Sequence, residues 1–146
     1  MSISTSLEIS ASGLTAERLR MDVISNNLAN VNTTRTAKGG PYRRQRVVFQ
    51  SMGSEGSSFA NLLQKAKGDG GGVKVTSVEP DNGALKRVYD PGHPDAGKDG
   101  YVNLPNVEPV MEMVDLISAT RAYEAGVSAI GAAKQMQAKA LEIGKG

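Results

Sequence analysis

The chain has 146 residues, which suits one domain, but with two Phe, four Tyr, no Trp and seventeen Gly it is short of core-forming side chains. Few aromatics and many glycines mean little burial set against a high ordering entropy, so an isolated monomer is expected to be marginal. A formal charge of +2 is too small to imply a polyanionic partner, and the absence of cysteine excludes disulfides and thiolate metal sites.

Thr5 and Glu8 have capping-box spacing, and a helix is expected from about Leu7 to Ala29. Leu7, Leu14, Met21 and Leu28 recur every seven residues, with Ile24 and Val31 widening the seam, the pattern of helices that pack lengthwise. Gly13 weakens the first turns by about 1 kcal/mol relative to Ala. Asn26, Asn27, Asn30 and Asn32 gather at the end of this helix. Asn is a good terminator, which accounts for Asn30 and Asn32. Asn26 and Asn27 lie still inside the pattern and are expected to fix register between packed helices, as buried Asn does in coiled coils.

Gly39-Gly40-Pro41 opens a loop, and 46–50 reads as a short strand. Residues 51–72 read as flexible, apart from a helical turn at 59–67. Stretches 73–79 and 84–89 flank Pro80-Asp81-Asn82-Gly83, whose Asn-Gly pair predicts a β-hairpin joining the two. Residues 90–100 read as a rigid loop. Asn106 is expected to cap the second helix, with Pro109 in its first turn and Gly144 ending it. Met113, Leu116, Tyr123, Val127, Ile130 and Leu141 form its apolar seam, joined by Ile117, and Arg121 and Glu124 are spaced to pair on its surface.

The expected fold is mainly α with a small β part. Residues 1–32 and 106–146 form one discontinuous helical domain, packed as an antiparallel coiled-coil-like pair. Residues 33–105 form a middle region with a β-hairpin and flexible loops. Neither helix is expected to be stable alone in water. No 18-residue apolar run exists. The first residues lack the basic start and apolar run of a cleavable secretory signal, so any export is expected to leave the chain uncleaved.

Candidate chemistry is sparse. His93 lies near Asp90 and Asp95, but one His and two loop carboxylates are a poor transition-metal set; a structural turn is the favoured reading over a hydrolase. Gly68-Asp69-Gly70-Gly71-Gly72 lacks the Gly-Lys-Ser/Thr ending of a phosphate loop. Arg43, Arg44 and Arg46, with Lys38 and Tyr42, form the single basic cluster. It is either a subunit contact or, as the alternative, a nucleic-acid grip with Tyr42 stacking on a base.

Longer motifs carry a resemblance. Ser12-Gly13-Leu14 and the run Leu19-Arg20-Met21-Asp22-Val23-Ile24-Ser25-Asn26-Asn27-Leu28-Ala29-Asn30 resemble the N-terminal signature of bacterial flagellar rod and hook proteins. Glu112-Met113-Val114-Asp115-Leu116-Ile117 and Arg121-Ala122-Tyr123-Glu124-Ala125 resemble their C-terminal signature. The middle motifs Gly40-Pro41-Tyr42-Arg43-Arg44, Val88 to Asp95, Gly100-Tyr101-Val102 and Leu104-Pro105-Asn106-Val107 narrow it to a proximal-rod component. Gly126 departs from the pattern, which usually has Asn there.

The resemblance implies a non-enzymatic subunit without cofactor or metal, exported unfolded by the flagellar type III apparatus and assembled in the periplasm with copies of itself and other rod proteins. The terminal helices would form an inner layer around the export channel. The middle, including Tyr42, Arg43, Arg44, Arg46, Asp90, His93 and Asp95, would supply outer contacts.

Overall fold

A computed structural model describes residues 3–52 and 71–144. Among these residues, two long helices, α1 (Ile3–Ala29) and α2 (Pro109–Ile143), bracket four short strands: β1 (Gln45–Ser51), β2 (Val73–Pro80), β3 (Lys86–Tyr89) and β4 (Tyr101–Leu104). The fold is therefore mainly helical with a small β part.

α1 begins a turn earlier than its capping box implies, and Thr5 lies inside it rather than at its cap. The hydroxyl-rich start is absorbed by bonds back to preceding carbonyls: Ser10 Oγ to Ser6 O (2.9 Å), Ser12 Oγ to Ile9 O (2.7 Å) and Thr15 Oγ1 to Ala11 O (3.0 Å). At its end the Asn30 side chain donates to Asn26 O and Oδ1, and Thr33 Oγ1 donates to Asn30 Oδ1. Asn26 O thus accepts a second bond beside that from the Asn30 N–H (3.1 Å), and the other two bonds link side chains at the helix end.

The strands pair as β1 with β2 and β3 with β4. The hairpin expected between 73–79 and 84–89 is not formed. A tight hairpin turn of the Asn-Gly type needs positive φ at both central residues, and neither Asn82 nor Gly83 has it. Instead Asp81 Oδ1 accepts the Gly83 N–H (2.9 Å) in an Asx turn, and the Asp81 N–H reaches Arg44 O (2.7 Å). The β3–β4 ladder runs antiparallel from Lys86↔Leu104 to Tyr89↔Tyr101, so the strand read at 84–89 pairs instead with Tyr101–Leu104, which the sequence reading gave only as motif. Gly100 closes the connection at φ +74°, and any Cβ there would meet the Tyr89 ring at 2.7 Å. Tyr89 and Tyr101 pack edge to face at 5.2 Å, with the Arg87 guanidinium 4.7 Å from the Tyr101 centroid.

α2 opens with Pro109 at its first position, where the missing N–H costs nothing. The Glu112 N–H bonds Glu108 O, so the helix starts after Glu108, and Asn106 is not its cap. Gly144 follows the last turn, its N–H on Ala140 O (3.1 Å). The segment read as flexible, with its helical turn at 59–67, lies almost wholly outside the described residues.

The chain divides into two compact units, each drawing on both helices. One comprises Met1–Leu19, Phe49–Thr76 and Ala119–Gly146. Among its described residues the buried ones are small: Ala16, Ala119 and Ala133. Ser12 ties the start of β2 to α1 by accepting the Val73 N–H (3.1 Å). The other comprises Arg20–Val48 and Ser77–Ser118, and buries Val23, Ile24, Val102 and Val107. Within it α1 and α2 are antiparallel: Arg20 meets Asp115, and Asn27, further along α1, meets Glu112, earlier in α2.

A buried polar node joins both helices to the middle segment

The two largest fully buried side chains among the described residues are polar: Glu112, 0% exposed, and Asn27, 1% exposed. Burying such groups is costly unless each finds partners. Asn27 finds four. Its Nδ2 donates to Gln45 O (2.8 Å) and Glu112 Oε2 (3.0 Å), while its Oδ1 accepts Gln45 N–H (2.9 Å) and Tyr42 O–H (2.9 Å). A carboxamide has two donors and two acceptor sites, so all of its hydrogen-bonding capacity is used.

Glu112 is held from its other oxygen by Arg44 Nε, and Arg44 Nη2 reaches Asp115 Oδ2 at 3.1 Å. Arg20 Nη2 lies 3.7 Å from Asp115 Oδ1. The Arg44 backbone is clamped as well: its N–H donates to Asn106 Oδ1 (2.9 Å), and Asn106 Nδ2 donates to Asp81 O (3.1 Å). Residues 42–45 thus run between two asparagines, Asn27 on α1 and Asn106 ahead of α2. All these groups belong to one compact unit.

Burial works against the Arg44 charge, but the hydrogen bond and charge of Glu112, with Asp115 and Asp81, outweigh it and hold its pKa above the ordinary arginine value. Burial, reinforced by the Glu112 charge, raises the Tyr42 phenol above its ordinary value. Both shifts favour a charged guanidinium and a neutral, donating phenol.

Of the helix residues singled out from the sequence, Ile24 and Asn27 are buried. Leu7, Leu14, Met21, Leu28, Asn30, Val31, Leu116, Tyr123 and Ile130 are half-buried. Asn26, Met113, Ile117, Arg121, Glu124, Val127 and Leu141 are exposed. Glu112, Asn106, Gln45 and Ser12 were not singled out as site residues. A carboxylate one heptad ahead of Ala119, Gly126 and Ala133 is the signal that would have found Glu112.

Among the outer residues, Tyr42 and Arg44 belong to the node, whereas Arg43 and Arg46 are exposed. Arg43 Nη1 is 3.4 Å from Gly83 O. The basic cluster therefore does not act as one patch, because its central arginine is engaged by carboxylates. His93 Nδ1 accepts the Asp95 N–H (3.1 Å), Asp90 Oδ1 accepts the Gly92 N–H (3.2 Å), and Thr34 Oγ1 donates to Asp95 Oδ2 (2.8 Å). The first two stabilise the turn, and the third ties it to Thr34, 61 residues earlier.

The segments that carry the node also match known proteins. The model "Flagella basal body rod protein" matches residues 7–35, and "Flagellar basal body rod FlgEFG protein C-terminal" matches 98–143. These segments carry Asn27, Asn106, Glu112 and Asp115. The chain is 52% identical to the flagellar basal-body rod protein FlgC of Bacillus subtilis, over 96% of this chain and 97% of that one. It is 49% identical to FlgC of Borreliella burgdorferi over the full length of both. It is 38% identical to FlgC of Escherichia coli O6:H1, over 99% of this chain and all of that one. The chain belongs to the FlgC family of bacterial flagellar basal-body rod proteins.

Proposed function

We propose that this chain is a structural subunit of the proximal flagellar rod, polymerising through its terminal helices into the shaft that transmits motor torque and surrounds the export channel. The observation that carries this reading is the end-to-end similarity to rod proteins, 52% identity over 96% of the chain. The structure supports it with an apolar surface suited to assembly: Val110, Met111, Met113, Val114 and Ile117, within two turns of α2, are each 49–63% exposed.

In this reading residues 1–32 and 106–146 form the helical layer, and 33–105 supplies the outer contacts through Arg43, Arg46, Asp90, His93 and Asp95. The partners are copies of the chain and other rod proteins, with the type III export apparatus as its route to the periplasm, without cleavage. The chain acts by folding and packing, not by catalysis or by binding nucleic acid. No helix among the described residues is long and apolar enough to cross a membrane.

Mass spectrometry of detergent-extracted hook–basal bodies tests this. The full-length, uncleaved chain is expected there in stoichiometric amounts with other rod proteins. Its absence from intact basal bodies would overturn the assignment.

A further inference from the structure

Asn82-Gly83 is the only Asn-Gly pair in the chain, and the fold does not use it as a hairpin turn. It lies between β2 and β3, outside helix and strand, with both residues exposed. Asn26, Asn27 and Asn103, by contrast, sit within helix or strand. An asparagine followed by glycine is open to attack by its own backbone, because glycine has no side chain to hinder its nitrogen as it nears the carboxamide. The Gly83 nitrogen loses its proton and attacks Asn82 Cγ. The N–Cγ bond forms, the Cγ–Nδ2 bond breaks, and ammonia leaves with the proton. Water then opens the five-membered succinimide at one of its two carbonyls, giving aspartate or isoaspartate.

The structure sets an obstacle on that path. The Gly83 N–H donates the 2.9 Å hydrogen bond to Asp81 Oδ1, so the nucleophilic nitrogen is held by the residue on the other side of Asn82. This bond opposes the reaction twice. It must be given up before the nitrogen can turn to Cγ, and the carboxylate charge disfavours loss of a proton beside it. Asp81 is itself anchored through its backbone, with its N–H on Arg44 O (2.7 Å) and its C=O accepting from Asn106 Nδ2 (3.1 Å). The contacts that hold the middle segment at the buried node therefore also fix the carboxylate over Gly83.

We propose that Asn82 is a deamidation site, and that Asp81 sets the rate of its conversion by withholding the Gly83 nitrogen. Both products add a negative charge next to Asp81. Isoaspartate also inserts a methylene into the main chain, just past the point where Asp81 binds Arg44 and Asn106.

The test is peptide mapping by mass spectrometry of the full-length chain in mildly alkaline buffer, following the exchange of NH2 for OH at Asn82 over time. Native wild type is expected to convert at least about fivefold more slowly than wild type in urea, the rate equivalent of one hydrogen bond. Asp81→Ala removes the carboxylate and keeps the backbone contacts. It is expected to convert at least about fivefold faster than native wild type. Asp81→Asn keeps an acceptor for the Gly83 N–H and is expected to lie nearer wild type than Asp81→Ala. Val23→Ala loosens the same unit from a buried position on α1 and is expected to stay within about twofold of wild type, because the turn is left intact. Asp81→Ala no faster than wild type would overturn the proposal, as would Val23→Ala as fast as Asp81→Ala or native wild type as fast as the chain in urea. An Asn82 that stays unconverted in urea would remove the site itself.

Discussion

Asn27 donates a 3.0 Å hydrogen bond to Glu112 across 85 residues of sequence, and both side chains are almost completely withdrawn from solvent. One side chain lies near the end of the first helix and the other near the start of the second. With Arg44 on the far side of Glu112, the bond makes the middle segment a required part of the helix pairing. A buried polar group is costly when mispaired, so this node specifies a single arrangement of three segments. That suits a chain with few large core residues.

Asn27→Ala leaves the Gln45 N–H and C=O, the Tyr42 hydroxyl and Glu112 Oε2 each short of a partner. The expected loss is about 3 kcal/mol, since one orphaned buried group alone costs about 1–3 kcal/mol. Urea denaturation of the purified chain measures it. Asn27→Asp is expected to be at least as damaging, because it sets a second carboxylate against Glu112.

Arg44→Lys is not conservative here. Nε and Nη2 address two different carboxylates, on Glu112 and Asp115, and a lysine ammonium does not reproduce that fork. Arg44→Met, which leaves Glu112 charged and buried, is expected to cost about 3 kcal/mol. Arg44→Lys should fall between Arg44→Met and wild type. Thermal melts of the three proteins establish the order.

Tyr42 sets a direction for pH dependence. Its pKa is raised in the folded chain, so between the unfolded value, about 10, and the folded one the native state binds more protons than the unfolded state. Stability therefore falls as pH rises through that window and is unaffected by this group below it. Tyr42→Phe lowers stability near neutral pH by about 1 kcal/mol through the lost hydrogen bond to Asn27. The variant should decline less steeply than wild type above about pH 10. Chemical denaturation from pH 8 to 11 compares the slopes.

Val114→Glu and Ile117→Glu separate folding from assembly. Both residues are more than half exposed (56% and 55%), so each variant's stability is expected to stay within about 0.5 kcal/mol of wild type. Swimming in the complemented deletion strain is expected to be lost. Normal swimming would remove this face of α2 from the assembly surface.

Both long helices were legible because their apolar residues keep helical spacing over many turns, and so was the strand at 45–51. The 73–89 hairpin misled because Asn-Gly is a strong local signal, while the contacts that prevail, Asp81 to Arg44 and Asn106 to Asp81, are long-range. Asn27 was picked out because a second adjacent amide inside the helical pattern had no local explanation. Glu112 stood in the C-terminal signature motif, but its role in the node was hidden, since its partners come from segments 68 and 85 residues away. Large apolar residues were followed along α2, yet Ala119 and Ala133 are buried while Met113 and Val127 are half exposed. A face built for close helix approach uses small side chains, and a search for bulky ones passes over it.

The most direct test of the central claim is electron cryotomography of basal bodies in the source bacterium with this gene deleted. Loss of rod and hook above an intact membrane ring and export gate is the predicted result. Complete rods in the deletion strain would contradict the assignment of this chain as an essential rod subunit.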